Sequence, residues 1–259
     1  MDGNRAAGPF GQTIRQARTA TFRQLCLPTP ALILVDAGEK RIGWSGRSVS
    51  ALPGQILLLP EAEPLAVTNL PPDRGPYRAR VIPVERTWVE AAYGRLRTAR
   101  RPTSGTVQVL VPGPGSQTAF EALFTMGPDL PPAIRALRTE EVLLWLAVDG
   151  ALLPPAPPPA VSQRLRLLIS TDLGSVWTAG RAAAALAMSE ATLRRRLAEE
   201  ATSFTALLAD LRMCQALALL QGTDLPVGEV AAAVGYGSPS RFAVRFRARF
   251  GLSPRDIRA

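Results

Sequence analysis

The stretch PVGEVAAAVGYGSPSRFAVRFRARFG, at residues 226–251, decides the fold of the carboxyl-terminal part of this chain. Its first apolar residues follow the i, i+3, i+4, i+7 spacing of one buried helical face, and they are Val227, Val230, Ala231 and Val234. Gly235 and Gly237 then turn the chain, and Ser238-Pro239 supplies a capping residue followed by proline at the first helical position. The pattern predicts two short helices joined by a tight turn, which is the helix-turn-helix arrangement.

An approximate copy of this motif, TAGRAAAALAMSEATLRRRLAEEA, occupies residues 178–201. Thr178 and Ser189 are placed to cap its two helices, and Leu193 with Leu197 forms the buried stripe of the second helix. Leu193 corresponds, at an offset of 49 residues, to the first member of the inward-facing stripe Phe242, Phe246 and Phe250. The duplication favours two helix-turn-helix units over an unspecialised helical bundle.

The faces opposite these buried stripes indicate the partner. At about 100° per residue, central positions of each outer face are flanked by arginines, as expected of helices that enter the major groove of DNA. The predicted base-reading residues are Ala191, Thr192, Arg195, Ser240, Arg241 and Val244. The predicted phosphate contacts are Ser189, Arg194, Arg196, Ser238, Arg245 and Arg247. Three further arginines are at least as consistent with solvated surface charges, and they are Arg249, Arg255 and Arg258.

A continuous apolar helix is predicted between the two copies, over residues 204–221. About 18 residues at about 1.5 Å each give a rod of about 27 Å. This length is close to the roughly 34 Å between successive major grooves on one face of DNA. A rigid helix of this length would place helices 189–200 and 238–250 in adjacent grooves, so that one chain reads two half-sites.

Residues 25–111 show instead the sequence pattern of short β-strands. Short apolar runs at 31–35, 42–44, 55–59, 81–84 and 107–111 alternate with turn signals, which is typical of a small antiparallel barrel or sandwich. Helices are predicted at 117–126 and 132–148, and the second is so apolar that it must pack on the barrel, on a second copy of itself, or on both. We expect Trp44 and Trp88 in the core rather than in a ligand cavity, and Glu61 and Glu63 in solvent.

Domain boundaries follow from one sharp change in composition. The prolines between residues 154 and 159 favour a stiff, extended backbone and indicate an interdomain linker at 153–160. The other predicted parts are a flexible arm at 1–24, a β-barrel with packed helices at 25–152, and an all-α module at 161–259. The fold class is therefore α+β and multidomain, with two helix-turn-helix units joined by a linker helix in the second domain.

Charge and composition narrow the classes of function. The 259 residues carry 30 basic and 21 acidic side chains, and all the basic ones except Lys40 are arginine, which suits bidentate phosphate and guanine contacts. Histidine is absent and there are 2 cysteines, so His-ligated metal sites, Ser-His pairs and four-thiolate zinc sites cannot be assembled. No apolar run in the sequence reaches the roughly 18–20 residues of a membrane helix. We expect a cytoplasmic protein that is not an enzyme, holds no cofactor or metal and has no membrane partner.

Four segments between residues 160 and 259 resemble the AraC/XylS family of bacterial transcription regulators. They are Met188-Ser189-x-x-x-Leu193-x-Arg195, Leu211-Arg212-x-x-x-Ala216-x-x-Leu219-Leu220, Val230-Ala231-x-x-Val234-Gly235-Tyr236, and Phe242 with Phe246 followed by Gly251-Leu252-Ser253-Pro254. Val244 departs from the family pattern, which commonly has arginine there. The resemblance implies a cupin-like sensory barrel at the amino-terminal end, matched locally at residues 52–60, and helices after it that often dimerise.

These features predict a sequence-specific, DNA-binding regulator of transcription that inserts two recognition helices into successive major grooves of double-stranded DNA. The resemblance implies that activation is the commoner action, with RNA polymerase, a small-molecule effector and a second copy of the chain as partners. One alternative is control by a protein, such as an anti-activator, that binds the amino-terminal domain. Another is an architectural protein that coats DNA without base preference, which competition by scrambled duplex would distinguish.

Overall fold

The computed structural model describes residues 11–61, 64–96, 107–153 and 158–258. The chain divides into two compact units, one ending at Pro157 and the other running from Pro158. Glu63 and the central part of the predicted linker, residues 154–157, lie outside the described residues. The predicted linker residues 158–160 precede the first helix of the second unit.

The amino-terminal unit is built on two antiparallel sheets. In chain order the described strands are β1 Gln12–Gln16, β2 Ala20–Leu25, β3 Ala31–Ala37, β4 Glu39–Trp44, β5 Arg47–Ala51, β6 Ile56–Leu59, β7 Leu65–Leu70, β8 Tyr77–Pro83 and β9 Gln108–Leu110. One sheet has the order β1-β8-β3-β6-β9 and the other the order β2-β7-β4-β5. Of the two forms predicted, this is a sandwich of two separate sheets, and it is compatible with the cupin-like expectation.

Strands β3 and β6 lie at the centre of this unit because both of their faces are buried. Leu32 and Leu34 of β3 point into a core shared with helices, whereas Ile33 and Val35 point into the core between the sheets. Alternate residues of a strand face opposite sides, so a continuous apolar run such as ALILV is what a doubly covered strand requires. Trp44 is buried in the core between the sheets, as predicted.

Three α-helices and one short 3-10 turn cover the first sheet. The helices are α1 Arg86–Arg95, α2 Pro114–Met126 and α3 Pro132–Val148, and the 3-10 turn is Gly127–Asp129. Helix α3 packs Val142, Leu143 and Leu146 into the core beneath it. This confirms that the helix packs on the β-structure. Trp88 of α1 packs on the same core.

Two local expectations for this unit were wrong. The flexible arm at 1–24 contains strands β1 and β2 from Gln12 onward, which pair with β8 and β7; residues 1–10 lie outside the described part. These strands lack the continuous apolar runs from which the other strands were predicted. Strand β2 instead begins with alternating buried and exposed residues, as a strand covered on one face does, and its Phe22 is fully buried. Glu61 is buried rather than solvated, because it forms an ion pair with Arg86 at the start of α1.

In the described residues of the carboxyl-terminal unit, the regular secondary structure is entirely α-helical. Its helices are α4 Val161–Ser170, α5 Ala179–Ala185, α6 Glu190–Glu199, α7 Phe204–Gly222, α8 Val227–Ala233 and α9 Pro239–Phe250. Five of these match the predicted helices within a few residues at either end, whereas α4 was not predicted. Among the described residues, no single helix is long and apolar enough to span a membrane; α6 and α7 reach that length and apolarity only when counted together, across a bend of 72°.

Candidate nucleic-acid interface

Helix α6 is held at a defined angle to α5 by its turn and by its cap. The hydroxyl of Ser189 accepts a hydrogen bond from the Thr192 amide at 3.1 Å, so the predicted cap is confirmed. Ala187 occupies the left-handed region with φ of 56°, and the Met188 amide donates to the carbonyl of Ala183 at 3.0 Å to close the turn. Leu193, which is 1% exposed, anchors the helix in the core.

The opposite face of α6 is directed to solvent. Ala191, Arg194, Arg195 and Arg196 are exposed and Thr192 is half-buried. Within this face Nη1 of Arg195 lies 2.8 Å from a carboxylate oxygen of Glu199, one turn later. All the predicted contact residues of the first helix-turn-helix are therefore accessible to a partner.

The second helix-turn-helix, residues 226–251, is built in the same way. The Tyr236 amide donates to the carbonyl of Ala231 at 2.8 Å, and Ser238 caps α9 by accepting from the Arg241 amide. Gly235 turns the chain with φ of +79°, a conformation that side-chain-bearing residues rarely adopt. The phenylalanine stripe is buried in a row of ring contacts, with centroids 5.6 Å and 4.8 Å apart. The predicted contacts Ser240, Arg241, Val244, Arg245 and Arg247 are exposed, and Ser238 is half-buried.

Asp210 of the linker helix α7 joins both helix-turn-helix units. Its carboxylate lies 3.0 Å from Arg166 of α4 and 2.9 Å from Arg249 of α9. Helix α4 packs on the first helix-turn-helix and α9 belongs to the second. One carboxylate therefore links both helix-turn-helix motifs to the linker helix. The spacing of apolar residues gave no sign of this contact, since neither arginine is near Asp210 in sequence.

Two other polar side chains close the ends of helices in this unit. The Glu200 carboxylate accepts from the Val161 and Ser162 amides, each at 2.9 Å, and so caps α4. Arg258 donates to three backbone carbonyls at and beyond the end of α7, namely those of Leu220, Thr223 and Leu225. Arg249 and Arg258 therefore form contacts that hold the module together, although Arg258 is exposed, as is Arg255.

Charge on this module is unevenly distributed. Asp210 and Glu200 are engaged within the module, while α9 contains no acidic residue in its sequence and α6 contains Glu190 and Glu199. Net positive charge is thereby concentrated on the two exposed faces that carry the predicted contacts. Such a surface attracts a polyanion at long range and at low salt.

Lys40 of the amino-terminal unit is a buried amine that the sequence pattern did not predict. Nζ of Lys40 lies 2.8 Å from Oδ1 of Asn69, whose amide nitrogen donates to Oε1 of Gln16 at 2.9 Å. Burial lowers the pKa of Lys40 to about 7, since removal from water penalises the ammonium form. The nearby phenol of Tyr77 is also buried, and burial followed by the field of Asp36 raises its pKa.

Helix α3 keeps an apolar strip on its outer face. Leu137, Trp145 and Val148 are 54%, 42% and 73% exposed, and they line an open cleft of about 460 Å³. Arg95 and Glu140 form an ion pair of 2.9 Å at its edge.

Comparison with known proteins places the carboxyl-terminal unit among transcription regulators. A family profile described as a helix-turn-helix domain matches residues 182–259. The Escherichia coli proteins Rns, a DNA-binding dual transcriptional regulator, and CfaD, an HTH-type transcriptional activator, are 36% and 35% identical over 96 residues. Each match covers 37% of this chain and 36% of the relative, so the chain matches about a third of these relatives' length.

The same arrangement of elements occurs in ToxT of Vibrio cholerae. The apo K231A variant superposes with a TM-score of 0.66 at 11% identity, covering 95% of both chains. ToxT bound to an unsaturated fatty acid gives a TM-score of 0.59 at 12% identity, covering 98% of this chain and 95% of ToxT. These likenesses confirm the predicted fold class, a β domain with helices followed by a helical module.

Proposed function

We propose that the chain regulates transcription by binding specific DNA sequences, on the premise that residues 182–259 match a helix-turn-helix domain and that this module resembles the AraC/XylS family. Helices α6 and α9 enter successive major grooves, and α7 sets the distance between them. The 19 residues of α7 correspond to about 28 Å, which is close to the groove repeat. The proposed ligand is double-stranded DNA in the cytoplasm.

The observation that carries this proposal is the pair of capped helices with buried inner stripes and exposed outer faces. Central side chains at Ala191, Thr192 and Arg195 are assigned to base edges in the first half-site. Ser240, Arg241 and Val244 are assigned to base edges in the second. The six predicted phosphate contacts, which are Ser189, Arg194, Arg196, Ser238, Arg245 and Arg247, fix the register along the backbone.

Selection from a random DNA pool tests the proposal. The full-length protein is incubated with a library of randomised duplexes, and bound DNA is amplified and sequenced through several rounds. We expect enrichment of a site with two half-sites about one helical turn apart. An unenriched pool, bound with equal affinity throughout, would instead support the architectural alternative.

We further propose that the chain activates transcription as a homodimer that contacts RNA polymerase. The exposed apolar strip of Leu137, Trp145 and Val148 supports self-association, because apolar side chains of this size are seldom left in water together. If wild type sediments as a dimer and a Trp145→Glu variant does so too, the apolar strip is not the dimer interface. A promoter–reporter fusion carrying the selected site distinguishes activation from repression.

The amino-terminal unit is proposed to sense an effector. An unsaturated fatty acid is the first probe, because ToxT shares the fold and has been crystallised with one. A rise in melting temperature of the full chain with oleate, absent with a fatty alcohol of equal length, would support a small anionic effector. No shift with either would favour control by a protein partner.

A further inference from the structure

A cleft of about 880 Å³ lies between the linker helix α7 and the second helix-turn-helix unit. On one side it is lined by Thr205, Leu208, Ala209 and Arg212, which lie at i, i+3, i+4 and i+7 on α7. On the other side lie the turn before α9 and the exposed face of α9 itself. The linker helix therefore has an open face in addition to the face that packs in the core.

This cleft is continuous with the proposed DNA-binding surface. Ser240, Arg241, Val244 and Arg245 line it, and the same residues form the outer face of α9. A duplex seated on α9 would therefore cover the mouth of the cleft. Three of the lining residues are arginines and none is acidic, so the cleft is suited to a negatively charged group.

Arg212 contributes to this lining a buried donor atom that has no hydrogen-bond acceptor among the described residues. Its Nε is buried without a hydrogen bond, and among the described residues its guanidinium forms no ion pair. The group lies 5.9 Å from the centroid of the Tyr236 ring. A methyl group at Gly235 would approach Nη2 of Arg212 to 2.7 Å, so the turn is closely fitted around the guanidinium.

The internal repeat shows that this lack of a hydrogen-bond acceptor is specific to the second copy. Arg164 of α4 precedes the first turn as Arg212 precedes the second, since both pairs Arg164–Arg212 and Leu186–Val234 are 48 residues apart. Arg164 donates to the carbonyl of Leu186, at the end of α5. No corresponding bond from Arg212 to Val234 is formed among the described residues, where the turn is one residue longer.

We propose that Arg212 binds a backbone phosphate of the DNA segment between the two half-sites, which makes α7 a DNA-contacting element. The proposal rests on the proposed function. A phosphate would supply the acceptor that the guanidinium lacks, and the short side chains of Thr205 and Ala209 allow the backbone to approach α7 closely. Arginine favours such contacts because its planar group donates two parallel hydrogen bonds.

The salt dependence of binding tests this role in the full-length protein. Arg212→Gln and Arg212→Lys are compared with Arg47→Gln, a matched control that removes an exposed charge from β5 in the other unit. The probes are a duplex selected by the wild-type protein and a scrambled duplex of equal length. Loss of one phosphate contact should make the slope of log affinity against log salt shallower by about 0.9.

For Arg212→Gln we therefore expect roughly fivefold weaker binding at about 0.15 M salt, by equal factors for both duplexes. Arg212→Lys should retain the wild-type slope, because a lysine still neutralises one phosphate, and Arg47→Gln should change nothing. A slope for Arg212→Gln equal to that of wild type would overturn the proposal, even if the variant is less stable. Failure of wild type to prefer any sequence would refute the proposed function separately.

Neutral phosphates in the DNA provide a test that does not depend on how the variant folds. Wild-type protein is titrated against duplexes that carry a single methylphosphonate at each successive position. We expect a loss of roughly fivefold at one phosphate between the half-sites. In Arg212→Lys the position of that loss should be kept. A uniform profile across the central segment would refute the contact.

Discussion

Arg195→Ala is the most direct perturbation of the proposed base readout. In the free protein the Arg195 guanidinium is paired with Glu199 at 2.8 Å, and the two side chains are 66% and 57% exposed. An exposed i, i+4 ion pair contributes about 0.3–0.5 kcal/mol to stability. The substitution should therefore leave the fold intact and report on binding alone.

The expected loss in binding is larger than this. A bidentate contact between an arginine and a base edge is worth about 1–3 kcal/mol of discrimination. This corresponds to a factor of about 5–150 in the ratio of affinities for selected and scrambled DNA. Glu199→Gln removes the internal competitor and one repulsive charge, so it should strengthen binding to both duplexes about equally. Arg194→Ala should weaken both about equally.

Gel-shift titrations at fixed salt measure this ratio for the wild type and the three variants. The preference should collapse for Arg195→Ala and persist for Glu199→Gln and Arg194→Ala. An unchanged preference in Arg195→Ala, with a melting temperature within about 2 °C of wild type, would refute the assignment of Arg195 to a base edge.

Three further predictions concern stability, measured by urea unfolding. Burial lowers the pKa of Lys40 from 10.5 to about 7, so between these pH values the amine is protonated in the unfolded chain and neutral in the folded chain. The free energy of unfolding should therefore rise by about 3 kcal/mol from pH 7 to about pH 9.5. Lys40→Met should abolish that rise, and a Lys40→Met variant with the pH profile of wild type would contradict the buried amine. Asp210→Ala leaves the side chains of Arg166 and Arg249, which are 14% and 21% exposed, without their shared carboxylate. The free energy of unfolding should fall by about 2–4 kcal/mol. A loss under about 0.5 kcal/mol would show that the two ion pairs of Asp210 contribute little to stability. Phe246→Ala opens a cavity under α9 and should cost about 3–5 kcal/mol, with a near-neutral result indicating that the phenylalanine stripe is not tightly packed.

Local spacing was sufficient for the elements that bury one continuous stripe. Helix α3 was predicted with its observed bounds, and α7 ends one residue beyond its predicted end. The caps at Ser189 and Ser238 were also readable, because a capping hydroxyl acts on an amide three residues away. Helix α1 was missed since its buried residues, Val89 and Ala92, are too few to mark a face.

Some features of the candidate site were also predictable from the sequence, whereas others were not. The outer faces of α6 and α9 follow from the buried faces by helical geometry, and all twelve predicted contact residues lie exposed or half-buried on those faces and at their caps. The contacts at Asp210, Lys40 and Arg212 depend on residues between 24 and 44 positions away or on a whole buried environment. No periodicity within a single element encodes such a contact.

What the sequence by itself determined is the identity of the carboxyl-terminal module: duplicated helices, their caps and the side chains that face outward. These are consequences of interactions within one or two helical turns. Only the tertiary structure decided which polar groups lost water and found partners. Asp210 pairs with two arginines, Lys40 contacts the Asn69 amide, and the Arg212 Nε has no acceptor among the described residues, because desolvation and pairing depend on which distant segments pack together.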